Sequence, residues 1–99
     1  MTVIQNAGGK TYVVALAGRI DTITAHQVKS DILSAIDEHR EVILDFGKVE
    51  YVSSAGLRVL LITHKHAQAS GGRQTLRNIS PEVMEVFAMT GFTDVLNIE

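Results

Sequence analysis

The chain has 99 residues, which fit one domain, and its 45% of apolar residues is enough for one hydrophobic core. It has no cysteine, which excludes disulfide bonds and thiolate metal sites. Nine Lys and Arg residues against eleven Asp and Glu residues give a formal net charge of −2, and the scattered basic residues do not indicate a nucleic-acid binder.

Two β-prone runs open the chain. Thr2–Gln5 and Thr11–Ala17 are separated by the turn-forming residues Asn6–Gly9, which predicts a β-hairpin. Gly18 is expected to end its second strand.

The first helix is predicted to start at Thr24, because Thr24 and Gln27 have the spacing of a capping box. Apolar residues then recur with helical spacing and form one stripe along the helix. The nearly continuous apolar run Glu41–Phe46 follows, and it predicts a central strand that is covered on both faces. The stripe consists of Ala25, Val28, Ile32, Ala35, Ile36 and His39.

A loop over Gly47–Ser53 is predicted to lead into a second helix at Ser54–Ser70, which Gly71 and Gly72 end. A further strand is predicted at about Gln74–Asn78. These elements continue an alternation of strand and helix.

The third helix has a clear start, since Ser80 is a good cap, Pro81 suits the first turn and Glu82 suits the positive end of the helix dipole. It is predicted to end at Thr90-Gly91, before an edge strand at Val95–Ile98. The order β-β-α-β-α-β-α-β predicts one α/β domain over residues 1–99. We expect a mixed, mostly parallel sheet of about five strands, opened by the hairpin and packed against about three helices.

The sequence lacks the patterns typical of an enzyme. His64 and His66 would point to opposite sides of a helix, so they cannot share a metal. A nucleophile elbow at Ser54 needs glycine two residues earlier, where the chain has Val52. The paired glycines fit no phosphate-binding motif and indicate turns. We therefore expect a non-enzymatic protein without a metal or cofactor.

The second helix is apolar on more than its core face. Ser54 is expected at its start, where free backbone N–H groups and the helix dipole converge. An ordinary N-cap with scattered surface apolarity explains these features, and so does a docking surface beside Ser54. The predicted core face contains Leu57, Leu60, Leu61, His64 and Ala67, and the opposite side contains Val59, Ile62 and His66.

Several segments together form a known pattern. They are Gly18–Asp21, Val42–Asp45, Val49–Leu57, Gly71-Gly72, Ile79–Pro81 and Thr90–Phe92. With these segments in this order, the chain resembles the STAS domain over essentially its whole length, in particular the stand-alone anti-sigma factor antagonists of bacteria.

The resemblance implies a partner-switching cycle. In that family the unmodified antagonist binds an anti-sigma factor that is also a serine kinase, which frees the sigma factor for transcription. The kinase phosphorylates a serine at a loop-to-helix junction and breaks the complex, and a PP2C-type phosphatase reverses the modification. Aligned on Gly56 and Leu57, the modified position falls on Ser54. Ser53 is the second candidate, because it is an adjacent serine. The chain departs from the family pattern at two positions, since Ser53 stands where an acid is frequent and Ala55 where a Ser or Thr is frequent.

The implied partner-binding surface surrounds the start of the second helix. Asp21 is expected near the acceptor serine, or otherwise to be a hydrogen-bond acceptor in the turn before the first helix. The predicted set is Asp21, Thr22, Ser53, Ser54, Ala55, Gly56, Arg58, Val59 and Ile62.

Two other functions stay open. A STAS subunit of a membrane complex for lipid or anion transport would bind its ATPase partner constitutively, and a sensory scaffold would bind a nucleotide or another small ligand. For the antagonist we expect a cytoplasmic protein, monomeric when free, that neither contacts nucleic acid nor inserts into a membrane. Met1–Gly9 lacks the features of a secretory signal, and no apolar run is long enough to span a membrane.

Overall fold

The computed structural model describes residues 2–6 and 11–99, with side chains described from residue 11 onward. The predicted order of strands and helices is confirmed, although the turn at residues 7–10 lies outside the described part. The elements are β1 (Thr2–Asn6), β2 (Thr11–Ile20), α1 (Ala25–Glu38), β3 (Glu41–Val52), α2 (Ser54–Ala69), β4 (Arg73–Arg77), α3 (Pro81–Met89), a short 3₁₀ helix (Phe92–Asp94) and β5 (Asn97–Ile98).

The strands form one sheet in the order β1-β2-β3-β4-β5. β1 pairs antiparallel with β2, as the hairpin prediction requires, and every later neighbour is parallel. Because the order never reverses and parallel crossovers are right-handed, all three helices lie on the same face of the sheet. Their buried residues join those of the strands in a single hydrophobic core, which includes Ile32 of α1, Leu60 of α2 and Phe87 of α3.

The prediction that β3 is covered on both faces is wrong. Val42, Leu44 and Phe46 are buried against the helices, whereas Ile43 and Asp45 point to the other face and are only half-buried. A strand order without a reversal places every crossover on one face, so no described helix covers the second face. The apolar run in β3 therefore marks a central position in the sheet and not a second helical layer.

The predicted strand end at Gly18 and the predicted loop at Gly47–Ser53 are also wrong. β2 continues to Ile20 and β3 to Val52, and the two extensions pair with each other through two register shifts. The shifts break the alternation of buried and exposed residues, which is why the sequence pattern resembles a loop. The carboxyl ends of β2 and β3 consequently lie side by side, and α1 and α2 start just after them.

Helix positions agree better with the predictions. The stripe on α1 is confirmed at its centre by the burial of Val28, Ile32, Ala35 and Ile36. The cap of α3 is confirmed, since the Val83 N–H donates to the Ser80 hydroxyl at 3.2 Å. β5 is the expected edge strand but is shorter than predicted, because the N–H groups of Val95 and Leu96 donate to the Phe92 carbonyl oxygen of the 3₁₀ helix.

Candidate functional site

The candidate site lies where β2 and β3 end side by side. Ile20 and Val52 are paired in the sheet, and the backbone N–H of Ser53 donates to the carbonyl oxygen of Ile20 at 2.9 Å. α2 begins at the next residue, Ser54. The carboxyl ends of parallel strands are a common place for binding sites in α/β proteins, because loops and helix starts converge there.

Two adjacent serines at this junction have different roles. The Ser53 hydroxyl accepts a hydrogen bond from the Gly56 N–H at 3.3 Å, so Ser53 is the N-cap of α2. The alternative in which Ser54 is an ordinary N-cap is therefore wrong. Ser54 is the first helical residue, its side chain is exposed, and its hydroxyl has no hydrogen-bond partner among the described residues. The half-buried Ser53 is engaged, whereas the Ser54 hydroxyl is free to react or to contact a partner.

Gly56 is buried under the first turn of α2. A Cβ atom there would lie 2.6 Å from the carbonyl oxygen of Ile20 and 2.9 Å from Cγ1 of Val52. These distances are too short for any residue with a side chain, so glycine allows α2 to pack closely on the strand ends. Gly56 belongs to the predicted partner-binding set, and the structure shows that it is buried and closely packed on the strand ends.

Asp21 organises the turn between β2 and α1. Its Oδ1 accepts hydrogen bonds from the backbone N–H groups of Thr24 at 3.2 Å and Ile23 at 3.0 Å, and its Oδ2 accepts one from Arg19 Nε at 3.3 Å. The N–H of Thr24 has the largest effect on the Asp21 carboxyl, and with Ile23 and Arg19 it holds the pKa below its ordinary value of 3.8, against a smaller opposing effect of desolvation. The alternative role expected for Asp21, an acceptor in this turn, is confirmed.

The predicted capping box of α1 is wrong. The Thr24 side chain caps no helical N–H and instead donates to the carbonyl oxygen of Arg19 at 2.8 Å. Gln27 points along the helix and donates to Asp31 at 2.9 Å. The Asp21 carboxylate instead accepts the N–H groups of Ile23 and Thr24, the two residues before α1, so it holds the turn that leads into the helix.

A groove of about 390 Å³ runs between the N-terminal parts of α1 and α2, with Ser54 in its lining. It brings together most of the predicted partner-binding residues. Asp21, Ser53 and Gly56 lie outside the lining and fix the backbone around it. The groove is lined by Thr22, Ala25, His26, Lys29, Ser54, Ala55, Arg58, Val59 and Ile62.

The wall contributed by α1 was missed by the sequence analysis. Ala25, His26 and Lys29 follow Thr22 at helical spacing, so their common face could have been predicted once Thr22 was placed in the site. Ile23, which is 90% exposed, was missed as well. An isolated apolar residue in a turn carries no periodic signal, and the sequence does not indicate its exposure.

The predicted outer face of α2 requires a correction. Val59 is only 5% exposed and belongs to the hydrophobic core, because α1 packs alongside α2 and covers it. Ile62 is 39% exposed. Nε2 of His66 lies 2.8 Å from Oδ1 of Asp37 on α1, so this side chain already has a partner. Of the two apolar residues predicted on this face, Ile62 is exposed on the surface, whereas Val59 only contributes to the floor of the groove.

The histidines do not form a metal site. Within residues 11–99, no group of three His, Cys, Asp or Glu side chains is placed to hold an ion. His64 is buried, and the ring of His39 stacks on Tyr12 with centroids 3.9 Å apart. None of the described helices combines the length and the apolarity needed to cross a membrane.

Comparison with known proteins assigns the fold to a family. The STAS domain family matches residues 2–99. BtrV of Bordetella bronchiseptica, named as an anti-sigma factor antagonist, is 33% identical over 87 residues, which cover 87% of this chain and 75% of BtrV. The anti-sigma-B factor antagonist of Bacillus subtilis is 28% identical over 85 residues, or 86% of this chain and 78% of that protein.

Solved structures agree with this assignment. The unphosphorylated form of the anti-sigma factor antagonist SpoIIAA superposes with a TM-score of 0.80 at 25% identity, covering 100% of this chain and 88% of SpoIIAA. A protein of Thermotoga maritima with a TM-score of 0.88 is 18% identical and covers 98% of this chain and 84% of its own, so it supports the fold alone. The chain belongs to the STAS domain family.

Proposed function

We propose that this protein is an anti-sigma factor antagonist that regulates sigma-factor-dependent transcription by binding an anti-sigma factor with serine kinase activity. Two relatives that align over most of the chain are named as anti-sigma factor antagonists. The observation that carries the proposal is the exposed Ser54 at the first position of α2, in the lining of the groove between α1 and α2.

The groove is suited to recognition of a protein surface. Its floor and one end are apolar, formed by Val59 and Ile62, and polar side chains surround them. Ile23 stands beside it in the turn that Asp21 stabilises. A buried apolar centre with a polar rim is the usual composition of protein interfaces.

Phosphorylation of Ser54 is the proposed switch. A phosphoserine carries about −1.5 to −2 charges at pH 7. The domain itself tolerates that charge at the start of α2, since the helix dipole favours an anion there. Across an interface the same charge is unfavourable, and a cost of about 3 kcal/mol would weaken binding more than a hundredfold. The switch therefore needs no change of fold.

Ser54 is a better acceptor than Ser53. A kinase needs an accessible hydroxyl, and Ser53 is half-buried with its oxygen directed to the Gly56 N–H. Phosphorylation of Ser53 would also disturb the cap of α2. A PP2C-type phosphatase completes the proposed cycle by removing the phosphate from Ser54.

Mass spectrometry tests the modification. The protein is incubated with ATP and the anti-sigma kinase of the same organism, and the phosphate is assigned to Ser53, to Ser54 or to another serine of the chain. We expect phosphate on Ser54, removed again by the PP2C-type phosphatase. Phosphate on Ser53, or on neither junction serine, contradicts the proposed switch.

Calorimetry of paired variants tests the interaction. Ser54→Asp should weaken binding to the anti-sigma kinase at least a hundredfold, whereas Ser54→Ala should bind like the native protein. Ser53→Asp is the matched control, because aspartate is as good an N-cap as serine and adds the same charge one residue away. Equal affinities of Ser54→Asp and Ser54→Ala would contradict the proposal. Capture of an ATPase with a permease, and no kinase, would instead indicate a transport subunit.

A further inference from the structure

The groove beside Ser54 has an uneven charge. Lys29 and Arg58 line it together with His26, and none of its nine lining residues is Asp or Glu. The whole chain carries a formal net charge of −2, so this concentration of positive charge opposes the average of the molecule. A local excess of one sign in a concave surface attracts groups of the opposite sign.

The cations of the groove are also unpaired. Arg19 is held by Asp21 at 3.3 Å and Arg77 by Glu99 at 2.8 Å. Lys29 and Arg58 form no ion pair or side-chain hydrogen bond within residues 11–99. Their charges are therefore available to a binding partner, whereas the charges of Arg19 and Arg77 are already compensated.

From these two observations we propose that the groove receives an acidic segment of the partner, with its carboxylates held by Lys29 and Arg58. This inference rests on the proposed function and adds the chemistry of the partner's contact. Arginine can bind a carboxylate through two parallel hydrogen bonds, and Lys29 supplies a second cation from the facing helix. The methylene groups of the acidic side chains pack over Val59 and Ile62.

The same charges explain how phosphate on Ser54 acts. Ser54 lies in the groove lining with Arg58 one helical turn further along α2. A phosphate of about −1.5 to −2 charges would neutralise Lys29 and Arg58. The acidic segment then meets a groove without positive charge, and it loses the attraction that held it. Phosphorylation thus replaces the partner's carboxylates with an anion attached to the domain itself.

Neutral substitutions test the proposal. Titration calorimetry with the anti-sigma kinase, at several salt concentrations, compares Lys29→Gln and Arg58→Gln with Lys48→Gln and Arg73→Gln, exposed cations outside the groove. Each groove variant should bind about tenfold more weakly and with a smaller salt dependence, while the controls stay within about twofold of the native protein. Arg58→Lys should retain the salt dependence. Native affinity in both groove variants would overturn the proposal and leave the proposed function intact.

A double-mutant cycle tests the action of the phosphate. The added negative charge is proposed to work by neutralising the cations. The fold loss of affinity caused by Ser54→Asp should therefore be at least about fivefold smaller in the Arg58→Gln background than in the native background. Equal effects in the two backgrounds would overturn this mechanism and favour direct steric or repulsive interference. Failure of the native protein to bind any anti-sigma kinase overturns the proposed function together with the groove assignment. Unchanged thermal unfolding of the variants shows that the fold is retained.

Discussion

A Cβ atom at Gly56 would lie 2.6 Å from the carbonyl oxygen of Ile20. The same carbonyl accepts the N–H of Ser53 at 2.9 Å, so the end of β2 holds both the cap and the first turn of α2. The position of Ser54 on the surface is therefore set by contacts between backbones. A side chain at position 56 would have to move the helix start away from the sheet.

Gly56→Ala should destabilise the protein by about 1–3 kcal/mol, which is typical of overpacking in a close-packed core. In an unconstrained helix the same change stabilises by about 1 kcal/mol, because alanine has the better helix propensity. A loss of stability in Gly56→Ala would thus indicate close packing at this position, and a gain would indicate that helix propensity dominates. Urea unfolding checks it, with Ser54→Ala as the neighbouring control that adds no atom to the contact. A Gly56→Ala protein as stable as the native one would contradict the packing described here.

The two serines at the junction should respond differently to removal of the hydroxyl. Ser53→Ala removes the cap of α2 and should lower the free energy of unfolding by about 1 kcal/mol. Ser54→Ala removes an exposed hydroxyl without a described partner and should change it by less than about 0.5 kcal/mol. Thermal or urea unfolding of both variants provides the measurement. The reverse order of effects would mean that Ser54 caps the helix.

The sequence predicts the order of elements well because caps, glycines and helical periodicity are local signals. Ser80-Pro81 and Thr90-Gly91 bound α3 as expected, and the stripe on α1 faces the core. The extension of β3 to Val52 was not predictable in the same way. It depends on pairing with the end of β2 through register shifts, and such pairing is a property of the assembled sheet.

In the candidate site too, local features were predictable from the sequence, whereas features that depend on tertiary packing were not. Ser54 is placed correctly at the junction, but Ser53 caps the helix with an extended backbone, and no residue pattern specifies which of two adjacent serines adopts that conformation. Val59 lies on the outer face of α2 when that helix is considered alone, but α1 packs over it and buries it. The basic side chains of the groove come from two helices, so neither stretch of sequence shows a charge cluster.

Asp21 should make the turn before α1 sensitive to acid. Its pKa is lowered in the folded protein, mainly by the Thr24 N–H, so the charged form is stabilised on folding. That stabilisation is fully present above the ordinary carboxyl pKa of 3.8 and is lost as the pH falls through the lower folded value. Asp21→Asn keeps an oxygen acceptor but no charge. It should be less stable than the native protein at pH 7, and the difference should shrink in acid.

Unfolding by urea at neutral pH and below the ordinary carboxyl pKa checks this expectation. Asp94→Asn, an exposed carboxylate in the 3₁₀ helix, gives the same change in net charge outside the turn. If the stability difference between Asp21→Asn and the native protein does not change with pH, the charge of Asp21 contributes nothing to the turn. The hydrogen bonds from the Ile23 and Thr24 N–H groups would then be as strong to the neutral amide oxygen of Asn as to the carboxylate of Asp21.

Ile23 should contribute to partner binding and not to stability. Its side chain is 90% exposed, while its N–H is fixed by Asp21 Oδ1 at 3.0 Å, so a rigid turn presents an apolar group beside the groove. Apolar anchors of this kind contribute a large share of the binding energy at interfaces, and removal of one weakens binding about tenfold or more. Ile23→Ser should therefore weaken binding to the anti-sigma kinase and leave the free energy of unfolding within about 0.5 kcal/mol of the native value.

Met89→Ser is the matched control, because Met89 is 81% exposed at the end of α3 and does not line the groove. Both substitutions remove a comparable exposed apolar side chain, so any general effect of surface hydrophobicity should be shared. Calorimetry should then show a loss of affinity for Ile23→Ser only. Equal losses in the two variants would show that binding responds to surface apolarity in general, and an unchanged affinity for Ile23→Ser would place the interface away from the turn that Asp21 holds.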